Sequence, residues 1–441
     1  MDLSQLTAAQ AALEIREGRV TSRELVQACL ERIAAYDGEI QAWTHLDPEY
    51  ALAQADRCDE AHRAGQPQGP LHGVPVGVKD IFDTEDMPTE CGTPLLSGRR
   101  SAHDAAVIAM LRQAGAVIMG KTVTTELAVY APGKTRNPHD PKRSPGGSSS
   151  GSAAAVASFM VPLAVGTQTN GSVIRPASYC GVFGYKPSFG LISRHGVLEQ
   201  CPTLDQVGVF ARTIEDAALI AECLMFFDEN DTTLKPRARP ELLKFASQEP
   251  PLPPLLAFVK SPVWDKADED TQEAFAELVE ALGERAAAVE LPDVFNQAVA
   301  CHRTIMEAEI AKSYGTLYEK GGDQISNQLR EIIERGQTVP AAEYLRAREI
   351  IPRLNAAVEE DFDWFDAYVT PATTGVAPLG LESTGSPIFS TIWTLAGMPA
   401  LSIPILQNGD GLPMGVQLVG RKGQDAKLLR TARWLANFAE E

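Results

Sequence analysis

Two serines set in glycine-rich loops, and one lysine set in an apolar run, are the residues whose types and spacing fit acyl-transfer chemistry. Ser148 follows Gly146-Gly147, and Ser172 follows Asn170-Gly171, within the stretch SPGGSSSGSAAAVASFMVPLAVGTQTNGSVIRP at 144–176. Glycine permits positive φ and close backbone approach to a ligand. Between the loops, Ala153-Ala154-Ala155-Val156-Ala157 reads as buried. The loops are therefore held over a core and are not a flexible linker, and rigid hydroxyl-bearing loops are where nucleophiles sit. Acyl transfer needs a nucleophile, a base and an oxyanion site. No histidine is well placed, so the base falls to a lysine that burial could keep neutral. Lys79 lies among Val76, Val78, Ile81 and Phe82. It is either that base or a structural lysine paired with Asp80 or Asp83. The backbone amides of Thr169, Asn170, Gly171 and Ser172 are the candidates for holding an oxyanion.

Competing motifs fail on physical grounds. Gly115-Ala116-Val117-Ile118-Met119-Gly120-Lys121-Thr122 fits the phosphate-loop expression. Its four middle residues are apolar, however, and read as the strand itself rather than as a Gly-rich turn opening a helix. Gly147-Ser148-Ser149-Ser150-Gly151 fits a nucleophile elbow, but a proline-rich polar loop precedes it where an elbow needs a strand. Cys180 reads as small apolar packing and His195 as a turn residue. The seven histidines and seven cysteines are scattered without metal-ligand spacing, so no metal is expected and the thiols read as reduced.

The elements that must carry these residues follow an α/β alternation. Residues 5–64 read as helical throughout, with Ser22 as a cap and Pro48 opening a further helix. After a Gly/Pro breaker at 65–70, strands are expected at 74–82, 116–119, 161–165, 255–259, 286–291, 367–370, 400–404 and 414–419. Helices are expected at 104–113, 152–159, 213–225 and 268–282. Residues 293–360 read as a helical insertion. The length alone suggests about three domains. Strands on both sides of the insertion nevertheless point to one sheet, hence one large α/β domain with an N-terminal helical arm.

Composition bounds the partners. A formal charge of −19 repels phosphate backbones and anionic membranes, so neither nucleic acid nor membrane is expected. Residues 1–4 carry no basic segment leading an apolar one, so a cytoplasmic location is expected.

The motifs Gly77-Val78-Lys79-Asp80, Pro145-Gly146-Gly147-Ser148-Ser149, Gly166-Thr167, Gly171-Ser172, Arg175-Pro176-Ala177 and Gly184-Tyr185-Lys186-Pro187 occur in this order. Leu204–Arg212, Thr394–Ala400 and Gly411–Gly415 follow. Together they resemble the amidase signature family, strongly over 70–220 and moderately over 365–435. The resemblance implies a single α/β/α domain spanning 1–441, with a mixed central sheet, an arm at 1–64, a core at 70–220 and the insertion at 293–360. It implies a Ser-cisSer-Lys triad: Ser172 as nucleophile, Ser148 as the bridging serine behind a cis Gly147–Ser148 bond, and Lys79 as base. The implied partner is a small-molecule amide, no cofactor is implied, and a homodimer is left open. Two departures stand out. The family's Gly-Thr-Asp-Thr-Gly-Gly-Ser is here Gly-Thr-Gln168-Thr-Asn170-Gly-Ser, and arginine stands three places after the nucleophile. This variant is similar to the malonamidase branch and to amidases of small polar amides such as carboxybiuret hydrolases. There the spacing implies that Arg175 anchors a substrate carboxylate; a clamp on the loop is the alternative. The A subunit of a tRNA-dependent amidotransferase and an inactive scaffold remain as other readings.

Overall fold

The apolar runs of the chain close into one sheet. Among residues 2–440, which a computed structural model describes, eleven strands take part. They are β1 (Trp43–Leu46), β2 (Pro75–Lys79), β3 (Val117–Thr122), β4 (Leu163–Gln168), β5 (Phe183–Lys186), β6 (Gln206–Ala211), β7 (Leu256–Val259), β8 (Ala286–Val289), β9 (Ala367–Pro371), β10 (Ala400–Gln407) and β11 (Pro413–Val419). Their order is β1-β3-β2-β4-β6-β5-β10-β11-β9-β7-β8. The sheet is mixed, as expected. Strands β3, β2 and β4 run parallel, as do β9, β7 and β8, and antiparallel pairs join the two blocks. Strands on either side of residues 293–360 share this sheet. The central strands β2, β3, β4 and β6 are buried along their whole length. That explains their near-continuous apolar reading.

The N-terminal arm departs from an all-helical reading. Helices Ala8–Arg16, Ser22–Ile40 and Pro48–Arg63 are interrupted by β1, which pairs antiparallel with β3. Trp43 is buried there, and Thr21, not Ser22, caps the second helix through a reciprocal bond with Glu24. Between the serine loops lies the small-residue helix Ser150–Ala157, with Ala153–Val156 buried. Gly151 lets it press onto the arm: a Cβ there would fall 2.2 Å from Ala42 O. Ser152 ties the helix to the sheet, donating to Val165 O at 2.9 Å. The insertion is helical at Ala298–Gly321, Asn327–Gln337 and Ala341–Ala357, and it packs on the buried helix Ile388–Ala396.

Candidate active site

Strands β2 and β4 are parallel neighbours, so the C-terminal ends of both open on one edge of the sheet. β2 ends in Lys79, and β4 leads directly into Thr169-Asn170-Gly171-Ser172. The structure brings Lys79 and Ser148 together: Lys79 Nζ lies 2.7 Å from Ser148 Oγ and 2.8 Å from Thr167 Oγ1. Lys79 and Ser148 are both buried. The Gly147–Ser148 peptide is cis, as the resemblance implied.

Neither acidic partner suggested for Lys79 is used. Asp80 pairs with Lys121 at 3.2 Å, and Asp83 pairs with Arg99 at 2.7 Å. Lys121 belongs to the rejected phosphate-loop match. It lies inside β3 and also donates to Phe82 O, Pro88 O and Thr89 Oγ1, so it is a structural lysine. Lys79 makes no ion pair among the described residues, and burial pulls its ammonium down to about 7. A neutral amine is therefore well populated near neutral pH.

Ser172 is 8% exposed, and its hydroxyl makes no hydrogen bond among the described residues. Residues 170–172 lie between β4 and the helix Ile174–Cys180, and their backbone amides have no internal acceptor. Three consecutive free amides beside a free hydroxyl can receive a developing oxyanion. Gly171 is needed here, because a Cβ would fall 2.8 Å from Pro387 Cβ.

The two departures from the family motif have local explanations. Gln168 Oε1 accepts from the amides of Val173 and Ile174 at 2.8 and 3.0 Å, and its Nε2 donates to Thr394 Oγ1 at 2.9 Å. The amide side chain thus caps the helix after the nucleophile and ties it to a distant segment, which an aspartate could do only on its acceptor side. Asn170 is held on both sides: its Nδ2 donates to Tyr130 Oη at 3.1 Å, and its Oδ1 accepts from Thr391 Oγ1 at 2.7 Å.

Arg175 is buried, and its donors point into the protein. Nε and Nη2 donate to Gly147 O at 3.2 and 2.7 Å, and Nη1 donates to Gly385 O at 2.6 Å. Of the two roles open to it, this is the geometry of a clamp. It fixes the carbonyl next to Ser148 and the loop facing the nucleophile, where the sequence favoured an anchor for a substrate carboxylate.

Cys180 Sγ donates to Pro145 O at 3.4 Å within the core, and burial raises its thiol far above the usual range. His195 lines a cavity around the C-terminal end of β4, together with Thr167 and Thr169. His302 bonds Thr169 O through Nε2 at 3.0 Å, and burial lowers it to about 4. It is a neutral brace for the strand end. The segment 384–394 was also missed as part of the site. It supplies Gly385, Pro387, Thr391 and Thr394, and Thr394 Oγ1 donates to Asn170 O at 2.6 Å. These residues come from far along the chain and carry no spacing signal.

A cavity of about 480 Å³ opens over this segment, lined by Tyr130, Asn170, His302, Arg303, Thr384 and Thr391 among others. Among the described residues no helix is long and apolar enough to cross a membrane.

Residues 24–429 match the Amidase family. The A subunit of the glutamyl-tRNA(Gln) amidotransferase of Chloroflexus aggregans is 35% identical, covering 97% of this chain and 95% of that protein. That of Thermobifida fusca is 34% identical over 95% and 92%. Among solved structures, the peptide amidase from Stenotrophomonas maltophilia superposes with a TM-score of 0.86 at 29% identity, covering 99% and 97% of the two chains. A structure described as a vestigial protein complex that reveals the origins of an s-triazine catabolic enzyme has a TM-score of 0.91 at 28% identity, covering 98% of each chain.

Proposed function

We propose that this chain, which belongs to the amidase family of enzymes acting on amide C–N bonds, is an amidohydrolase that cleaves a small amide through an acyl-enzyme on Ser172. The observation that carries the reading is a buried lysine without a carboxylate partner, 2.7 Å from Ser148 Oγ. Neutral Lys79 takes the proton of Ser148, which takes that of Ser172. The Ser172 oxygen bonds to the amide carbon, and the carbonyl oxygen becomes an oxyanion facing the amides of 170–172. As the tetrahedral species collapses, the C–N bond breaks, and Ser148 returns a proton to the leaving nitrogen. Ammonia or an amine departs. Water then attacks the ester by the same relay and releases the acid. The clamp geometry of Arg175 leaves it serving the loop. A carboxylate on the substrate would meet Arg303, which lines the cavity and makes no ion pair among the described residues.

The amidotransferase A subunit is the second reading, supported by identity along nearly the whole chain. With a charge of −19, the chain alone is a poor tRNA binder, so that role would require partner subunits. Incubation of the isolated chain with a panel of small amides, with ammonia detected, separates the two. Hydrolysis by the chain alone is expected, together with labelling of Ser172 by a fluorophosphonate and loss of both in Ser172→Ala. Glutaminase activity appearing only with added partner subunits would favour the second reading. A label on Ser148, or undiminished labelling of Ser172→Ala, would refute the nucleophile.

A further inference from the structure

Around the C-terminal end of β4 a second cavity of about 340 Å³ is lined by Thr167, Thr169, Asp205, Gln206 and Arg194 among others. The sheet register explains why these residues meet. β4 and β6 are antiparallel with Gln168 opposite Gln206, so Thr169 and Asp205 face each other one step beyond the ladder. Thr169 Oγ1 donates to Asp205 Oδ1 at 2.6 Å. Asp205 Oδ2 accepts from the amides of Gln200 and Cys201 at 2.9 and 2.8 Å. Two residues before Thr169 on the same strand, Thr167 accepts from Lys79 at 2.8 Å.

Resting on the reading of Lys79 as the base, we propose that Asp205 is a positioning residue for the reaction. Through Thr169 it fixes the strand end that presents Asn170, Gly171 and Ser172, and because Thr167 and Thr169 stand two residues apart on one face, its carboxylate is held as a counter-charge on the face that the Lys79 amine touches. Other groups around this pair leave that role to Asp205. Asp80 is committed to Lys121. Cys91, pushed up to about 12, and His302, lowered to about 4, are neutral at neutral pH. Burial likewise keeps Tyr314 and Cys201 protonated. Glu309 is held by Cys201, Thr203 and Tyr344. Arg194 is paired with Asp231 at 3.0 Å and reaches only the backbone oxygen of Asp205. Burial raises the Asp205 carboxyl to about 6, so it is mostly ionised where a neutral Lys79 is needed, and its charge favours the lysine's protonated form.

Asp205→Asn isolates the charge. The asparagine oxygen can accept from Gln200 and Cys201, and its NH2 can donate to Thr169 Oγ1. The threonine hydrogen then turns to Gln200 Oε1, already 3.1 Å away. Without the negative charge, protonated Lys79 loses support. The acid limb of the rate at which a fluorophosphonate labels Ser172 should move down by about one pH unit. Thr169→Val cuts the link. Its labelling rate at high pH, where Asp205 is ionised with or without the threonine, should fall about tenfold, and Thr169→Ser should restore it. An unshifted limb in folded Asp205→Asn, or a Thr169→Val enzyme as fast as the parent, overturns the inference while the relay stands. If Asp205→Asn fails to fold, Thr169→Val decides. A parent that is never labelled at Ser172 overturns the relay and this inference together.

Discussion

Arg175 shows how far a side chain's role depends on where its donors end. At the level of sequence, an arginine three places after the nucleophile points toward substrate. In the fold, the backbone of Gly147 and Gly385 takes up its guanidinium. Arg175→Ala should therefore leave the buried Gly147 carbonyl and the partly buried Gly385 carbonyl without these donors and cost roughly 2–4 kcal/mol of stability, read from urea unfolding. It should also lower kcat/KM alike, within about threefold of one another, on a matched acidic and neutral pair such as malonamate and propionamide. A loss confined to the acidic amide would return Arg175 to the substrate. Much of this site was legible in the sequence because its chemistry is local. Ser148 and Ser172 are flagged by adjacent glycines, and Lys79 by its apolar neighbours. Tyr130, His302 and Thr391 were not legible, because each reaches residues 169 or 170 through a hydrogen bond across a long chain separation.

Among the elements, the N-terminal arm depends on a cap borrowed from elsewhere. The helix Ala8–Arg16 begins at Thr7, whose capping box with Gln10 satisfies the amides of Thr7 and Gln10. The two remaining first-turn amides, Ala8 and Ala9, donate to Asp216 at 2.8 and 2.9 Å. Asp216 lies on the helix Ile214–Leu224 that covers β6, and Arg212 next to it donates to Val161 O at 3.0 Å and to Leu6 O. Asp216→Ala should cost about 1–3 kcal/mol, since one buried and one partly buried donor lose their acceptor, while labelling of Ser172 in the folded fraction stays at the parent rate. A lowered urea midpoint with parental labelling is the outcome to look for; loss of labelling in folded protein would mean that the arm shapes the site. Element prediction from sequence worked where patterns were long or sharply bounded, as at Leu256–Val259 and Glu269–Leu282. It failed at β1, four residues between two strong helices. It failed at β5 and β6, where Gly184 and Gly208 break the strand signal. It failed also at Ile388–Ala396, whose β-branched and aromatic residues do not read as a helix. That helix is buried nearly all round, and burial overrides propensity there.

For the molecule as a whole, buried lysines and buried thiols set opposing slopes of stability against pH. Burial brings Lys79 and Lys186 down to about 7, whereas both titrate near 10.4 when unfolded. Between those values the unfolded chain binds more protons than the folded one. Stability therefore rises with pH, by up to about 1.4 kcal/mol per unit for each lysine. The thiols act in the opposite sense. Burial pushes Cys29 and Cys91 up to about 12 and Cys223 to about 11, and it raises Cys180 and Cys201 as well. The unfolded chain releases these protons above about 8.5 while the folded chain keeps them, so stability falls there. Cys58 and Cys301 are raised as well, and Lys121 and Lys422 lowered, so seven thiols oppose four lysines, and the slope should reverse near pH 8.5. The unfolding free energy is expected to climb from pH 7 to about 8.5 and to drop toward pH 10. Lys79→Met singles out one contribution. The substitution strands Ser148 and Thr167 by a fixed amount at every pH, but it removes the penalty of a buried amine, which is full below about pH 7 and gone near 10.4. Its stability relative to the parent should therefore be highest at pH 6–7 and decline steadily to pH 10. A difference that stays flat across that range would mean that Lys79 titrates alike in the folded and unfolded chain, and so is no neutral base near pH 7.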